Sequence, residues 1–158
     1  MTRRPPLRRS GAVVCLLLVA GCGSGTVDID APKLSGADAA VCRSLVDALP
    51  SRVADQARRT SDAGGGYGAA WGDPAIVLTC GVPTPKGLDP FSPCTVADGV
   101  GWYIPESQRT NEPVDMTTVG RAVDVRVQIP ADYFPPAATM VDLAPALKKT
   151  VRELKPCL

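Results

Sequence analysis

Histidine is missing altogether from this 158-residue chain, and aromatic residues are scarce: two Trp, three Tyr and two Phe. Without imidazole there is no Ser–His or Cys–His nucleophile pair and no histidine general base or pH switch. Most catalytic zinc sites are excluded on the same ground. Seven aromatics do not make a carbohydrate-stacking platform. The chain also lacks a G-x-S-x-G elbow, an S-x-x-K motif and a phosphate-cradling loop. Gly64–Gly68, "GGGYG", has the glycines of such a loop without its lysine or strand-to-helix setting, and reads as a flexible linker. No apolar run reaches the roughly 20 residues that span a bilayer.

What is present begins at the N-terminus. Arg3, Arg4, Arg8 and Arg9 form a basic leader, Gly11 to Val19 an apolar segment, and Ala20-Gly21 the small residues that a signal peptidase needs. A plain secretory signal would be cut there with no demand for cysteine. "LVAGC", Leu18 to Cys22, instead resembles the lipobox of bacterial lipoproteins. That resemblance implies a diacylglyceryl group on Cys22 and cleavage before it, giving residues 1–21 as signal peptide. "TRRPPL" places Pro6 where a twin-arginine signal wants a bulky apolar residue, so it serves only as basic leader. Two acyl chains anchor stably where one does not. The expected partner is therefore the membrane, through Cys22, with the domain on the extracytoplasmic face of the cell membrane.

Removing residues 1–21 takes away four arginines, leaving 137 residues with 13 basic and 16 acidic side chains. A net charge of −3 offers no electrostatic reason to bind nucleic acid. Cys42, Cys80, Cys94 and Cys157 remain beyond Cys22, and in an oxidising compartment four cysteines imply two disulfides with three possible connectivities. Cys80 and Cys94 bracket a short loop rich in proline and glycine, which favours pairing them and leaves Cys42 with Cys157. Chain entropy assigns about 3 kcal/mol to the short loop and about 4.7 kcal/mol to the long one. The close paired spacings of a metal site are absent, and neither metal nor cofactor is expected.

Residues 22–34 read as lipidated cysteine and flexible tether, reaching roughly 17 Å as a coil, and residues 35–158 as one domain. Ser35 and Asp38 are spaced as a capping box, and Cys42, Leu45, Val46 and Leu49 recur at helical intervals. Pro50 ends or kinks this helix, with Ser51 capping further turns through Arg59. "SDAGGGYGAAWGDP" (61–74) reads as a mobile loop. Strands are expected over 75–82, 99–104 and 114–119. The clearest is "AVDVRVQI", where Val123, Val125, Val127 and Ile129 face one way and Asp124, Arg126 and Gln128 the other. A last helix is capped by Asp142, takes Pro145 in its first turn, and is lined by Leu143, Leu147, Val151 and Leu154 until Pro156. The expected fold is α+β: a small antiparallel sheet of about four strands, with an N-terminal and a C-terminal helix packed on one face.

Three segments in order, "AAWGDPAIVLTCGVPTP" (69–85), "C…VADGVGWYI" (94–104) and "VGRAVDVRVQIP" (119–130), resemble a family of short actinobacterial exported proteins called domain of unknown function 3515. The resemblance covers most of the mature domain. It implies one exported domain with paired cysteines and carries over no catalytic residue.

Among side chains with chemistry, Asp73 and Asp98 flank strands and are a conceivable acid–base pair, although Asp73-Pro74 and Asp98-Gly99 are also ordinary turn dipeptides. Trp71 and Trp102 are candidates for binding a partner, or else close the ends of the core. Arg121 follows a glycine and is suited to a carboxylate or phosphate, or to a structural ion pair with a nearby aspartate. The sequence therefore reads as a non-enzymatic envelope lipoprotein that binds a protein or envelope component. The alternative is a carrier for a small or lipidic ligand held between sheet and helices, and the less favoured one a carboxylate-based hydrolase.

Overall fold

The computed structural model describes residues 25–89, 91–110 and 113–157; the signal segment and Cys22 lie outside these. In chain order its elements are β1 (Val27–Asp28), α1 (Gly36–Ala48), β2 (Arg52–Val53), β3 (Gln56–Arg59), β4 (Ser61–Asp62), β5 (Gly68–Trp71), β6 (Ile76–Cys80), β7 (Thr95–Ala97), β8 (Val100–Tyr103), β9 (Val114–Thr118), β10 (Val125–Ile129) and α2 (Ala137–Thr150). Short 3-10 turns cover Glu106–Gln108 and Ala131–Tyr133. Eight strands form one antiparallel sheet in the order β2-β3-β5-β6-β10-β9-β8-β7, and β1 pairs with β4 in parallel.

Alternation explains the core. Cys80 and Leu78 of β6 stand in register with Val125 and Val127 of β10, Val127 with Met116 of β9, and Ile76 with Trp71 of β5. Together with Trp102 and Ile129 they form one buried cluster with Cys42 and Leu45 of α1 and Leu143 and Leu147 of α2. Both helices thus cover the same face of the sheet. Each large apolar side chain buried here contributes roughly 1.5–3 kcal/mol. Glu and Lys are absent from this layer, as burial without a partner would demand.

The sheet has eight strands where about four were expected. The strands missed are short and either polar or built of glycine and alanine, so pairing with their neighbours decides them more than their own propensity does. Residues 51–59, expected as helix, form the β2–β3 hairpin. Beyond Pro50 this stretch has no apolar stripe, and Ala54 and Asp55 take positive φ of 47° and 61°, the conformation of a two-residue hairpin loop. The expected mobile loop over 61–74 is ordered as β4 and β5. Its glycines turn around Tyr67, which is buried and receives a hydrogen bond from Arg43 at 3.3 Å.

The flexible tether expected over 22–34 does not describe residues 25–34. Val27 N–H donates to Thr60 O at 3.0 Å and Ile29 N–H to Asp62 O at 2.7 Å. Arg59 Nη2 donates to Gly25 O at 3.0 Å. Ile29 is buried with Ala63 and Ala70 on the sheet face away from the helices. Apolar Val27 and Ile29 alternate with Asp28 and Asp30, a strand pattern hidden inside a polar segment.

α2 begins five residues before the expected cap, at Ala137, so Asp142 and Pro145 lie inside it. Pro136 stands at its start, where a missing N–H costs nothing. The proline at 145 frees the carbonyl of Val141, a residue exposed to water that can satisfy it. The helix ends at Thr150, and Leu154, expected on its apolar side, is exposed. Ser35 does stand at the N-cap of α1, but its side chain makes no capping bond.

The disulfides are Cys42–Cys80 and Cys94–Cys157, which corrects the expected pairing. Cys42 lies on the sheet-facing side of α1 directly over the end of β6. Cys157 sits in the C-terminal tail against Gly101, where a β-carbon would come within 2.6 Å of its own. A glycine on β8 is what lets the tail reach Cys94. Chain entropy gives each loop about 4 kcal/mol.

Candidate functional site

The face of the sheet turned away from the helices would ordinarily be solvent-washed. Here three chain segments fold over part of it. Asp30 and Pro32 come from the N-terminal strap, Val82, Pro83 and Pro85 from the loop after β6, and Pro105 and Gln108 from the turn after β8. They enclose a groove of about 400 Å³ whose floor is Tyr103, Asp115, Thr117 and Arg126. A second hollow of about 370 Å³ shares Gln108 and Asp115 and continues it over Gln128 and Pro113. This size suits a small molecule or short peptide segment.

Strand register explains why these side chains meet. Arg126 pairs with Thr117 and Gln128 with Asp115 across β9 and β10, while Tyr103 pairs with Thr117 across β8 and β9. Their apolar neighbours Met116, Val125 and Val127 point into the core. Gln108 Oε1 accepts the Asp115 backbone N–H at 2.7 Å, tying the overlying turn to the floor. The prolines stiffen the walls and offer no backbone donor.

Electrostatics centre on two groups. Burial pushes the Asp115 carboxyl above its ordinary 3.8, and the Arg126 guanidinium pulls it partly back. Arg126 Nε is buried without a hydrogen-bond partner among the described residues. An N–H so placed costs about 1–3 kcal/mol. Other arginines have hydrogen-bond partners through their Nη groups: Arg58 donates to Leu49 O and Val46 O, and Arg59 to Gly72 O. Arg121 Nε is also buried without a partner among the described residues.

The side chains singled out in the sequence lie elsewhere. Trp71 is fully buried; its Nε1 donates to Pro50 O at 3.1 Å and Arg58 lies 5.8 Å from the ring centroid. Trp102 is also fully buried, with Nε1 lacking a hydrogen-bond partner among the described residues. Arg121, 7 % exposed, donates to Val151 O at 2.8 Å and Gly99 O at 3.3 Å and pairs with Glu153, not an aspartate, at 3.6 Å. It fastens the C-terminal tail to β8.

Asp73 and Asp98 occupy opposite ends of the sheet, one in the β5–β6 turn beside Ile76, the other in the β7–β8 turn on the Cys80 side. They form no acid–base pair. Asp73 meets Arg59 at 3.5 Å and Asp98 meets Lys148 at 2.9 Å. Between sheet and helices, where a lipidic ligand was the alternative expectation, Trp71, Trp102, Leu45 and Leu143 fill the space. Among the described residues there is no cluster of His, Cys, Asp and Glu that could hold a metal, and no helix long and apolar enough to cross a membrane. Cys22, the expected lipid attachment, is outside the described residues.

The groove escaped the sequence reading because its parts are scattered over five segments. The one local signal is a charged residue in the middle of an otherwise well-alternating strand, Arg126, which reads equally as a solvent-facing position.

Residues 11–156 match the family model described as a protein of unknown function, DUF3515, and the chain belongs to that family. No curated protein and no solved structure matches it.

Proposed function

We propose that this DUF3515 member is a lipid-anchored, non-enzymatic binding module of the cell envelope, on the extracytoplasmic face of the cell membrane, that takes its ligand in the groove on the open sheet face. The observation that carries the reading is the groove itself: a concave site floored by an unpaired guanidinium and a half-buried carboxyl. A site of about 400 Å³ fits a small ligand or the end of a larger envelope component better than a flat protein surface.

Lipidation is supported by "LVAGC" and by disulfide bonds that belong to an oxidising compartment. With the strap docked from Gly25 onward, three peptide units separate Cys22 from the first anchored carbonyl. That is at most about 11 Å of chain, so the lipid would hold the domain close to the headgroups. Binding is favoured over hydrolysis because, among the described residues, the groove holds one half-buried carboxyl, Asp115, while Asp30 is exposed at its rim. Carboxylate catalysis wants two carboxyls with separated environments and roles.

A native mass spectrum of the protein extracted gently from its own membranes tests this. The expected species starts at diacylated Cys22, lacks four hydrogens for two disulfides, and retains a small non-covalent mass. Val82→Trp, which fills the groove rim, should lose that mass while melting at the same temperature. A free thiol at Cys22 removes the anchor from the reading, and a mass retained equally by Val82→Trp removes the groove.

A further inference from the structure

Arg126 differs from the arginines around it in having nothing to do within the fold. Its Nε is buried without an acceptor, and its side chain makes no ion pair or hydrogen bond with any described residue. Asp115, two residues along β9 from the Thr117 that faces Arg126 and so diagonal to it on the same face, is near enough to feel its charge yet stays outside ion-pair distance. A guanidinium presents two parallel N–H bonds at its Nη1–Nη2 end, a fork matched to the two oxygens of a carboxylate. In Arg126 these two nitrogens are accessible while Nε is closed off.

The surroundings decide which anion. Phosphate recognition gathers several donors: lysines, successive backbone N–H groups or a helix N-terminus. Among the described residues this groove has one guanidinium, walls of proline that lack N–H groups, and two aspartates, Asp115 on the floor and Asp30 at the rim, that repel a dianion more strongly than a monoanion. A single negative charge is the most that one cation among these carboxyls can hold. Asp115 and Thr117 then stand ready for a ligand N–H or O–H adjacent to that charge.

We propose that the groove binds a monoanionic carboxylate ligand, of the size of a short peptide's C-terminal end, with its carboxylate on the accessible Nη1 and Nη2 groups of Arg126 and a neighbouring N–H or O–H on Asp115. This rests on the groove being the ligand site. Pro83, Pro85 and Tyr103 flank the ligand as apolar walls.

The experiment is an NMR titration of the oxidised protein with acetate, N-acetyl-alanylalanine, its C-terminal amide and inorganic phosphate, following the Arg126 guanidinium N–H resonances. The two acids are expected to shift these resonances saturably, the dipeptide acid binding at least tenfold more tightly than its amide. Arg126→Met should abolish acid binding and melt no lower than the parent, since it removes an N–H the fold does not use. A lower melting point with acid binding intact would make Arg126 structural and overturn the proposal. So would equal shifts from acid and amide, stronger binding of phosphate than of the acids, or resonances unmoved by both acids at tens of millimolar. In each of these cases a native mass still lost by Val82→Trp leaves the groove in place and refutes only the ligand class.

Discussion

The backbone N–H of Ala54 donates to Oδ2 of Asp142 at 2.8 Å, across 88 residues of chain. Ala54 opens the two-residue loop of the β2–β3 hairpin, and Asp142 stands in the middle of α2. The carboxylate that looked like a helix cap is instead a clasp, holding the last helix to the edge of the sheet. Asp142→Ala is expected to lower stability by about 1 kcal/mol, read as a shift in denaturant midpoint with an unchanged slope. Asp55→Gly in the same loop should raise it by a few tenths to about 1 kcal/mol, because a positive φ there strains any residue with a β-carbon.

The two tryptophans are equally buried but not equally satisfied. Trp71→Phe loses the bond to Pro50 O, whereas Trp102→Phe removes an N–H that had no partner among the described residues. Both changes delete similar volume, so their difference reports the hydrogen bond together with the Arg58 contact to the Trp71 ring. Trp71→Phe is expected to cost about 1–2 kcal/mol more, measured by paired chemical denaturation.

Gly120 has φ of +66°, and a β-carbon on it would lie 1.9 Å from Lys155 O. Its carbonyl accepts the N–H groups of Leu154 at 2.7 Å and Lys155 at 3.0 Å. Gly120→Ala should cost about 2–4 kcal/mol and release the tail, seen as loss of amide-exchange protection at Leu154 and Lys155 while the β6 amides stay protected.

Asp115 gives a pH dependence. Its folded pKa is raised by burial, so ionising it favours the unfolded chain. Below the ordinary value of 3.8 both states hold the proton and nothing is lost; as pH rises through the folded value the penalty develops fully. Asp115→Asn should therefore be more stable than the parent at neutral pH, with the difference vanishing as pH falls below that ordinary value. Denaturation midpoints across the acid range check the sign.

Regular periodicity was the legible part of this chain. β6, β8, β9 and β10 and the two helices announce themselves through apolar repeats, and the α+β class follows from them. The hairpin at 52–59 and the strap at 25–34 do not, because positive φ at Ala54 and a docked Ile29 are settled by tertiary contacts. The candidate site was less legible still. Trp71, Trp102 and Arg121 stood out by residue type, yet the fold uses Trp71 and Trp102 in its core and Arg121 to hold its tail. Arg126 and Asp115 matter because register and three overlying loops leave a charge uncompensated, which no local pattern encodes.

The disulfides join the first of the four domain cysteines to the second and the third to the fourth. A chain threaded outward from its N-terminus presents Cys42 and Cys80 before Cys94 and Cys157 appear. An oxidase that simply joins thiols in order of emergence thus makes the correct bonds, and a shuffling isomerase has nothing to repair. Yield of oxidised protein should be indifferent to loss of that isomerase. The condition is that Cys22, ahead of all four, be withheld from the oxidase. The acylation proposed for Cys22 would do this, and the lipid would then act as a protecting group before it acts as an anchor.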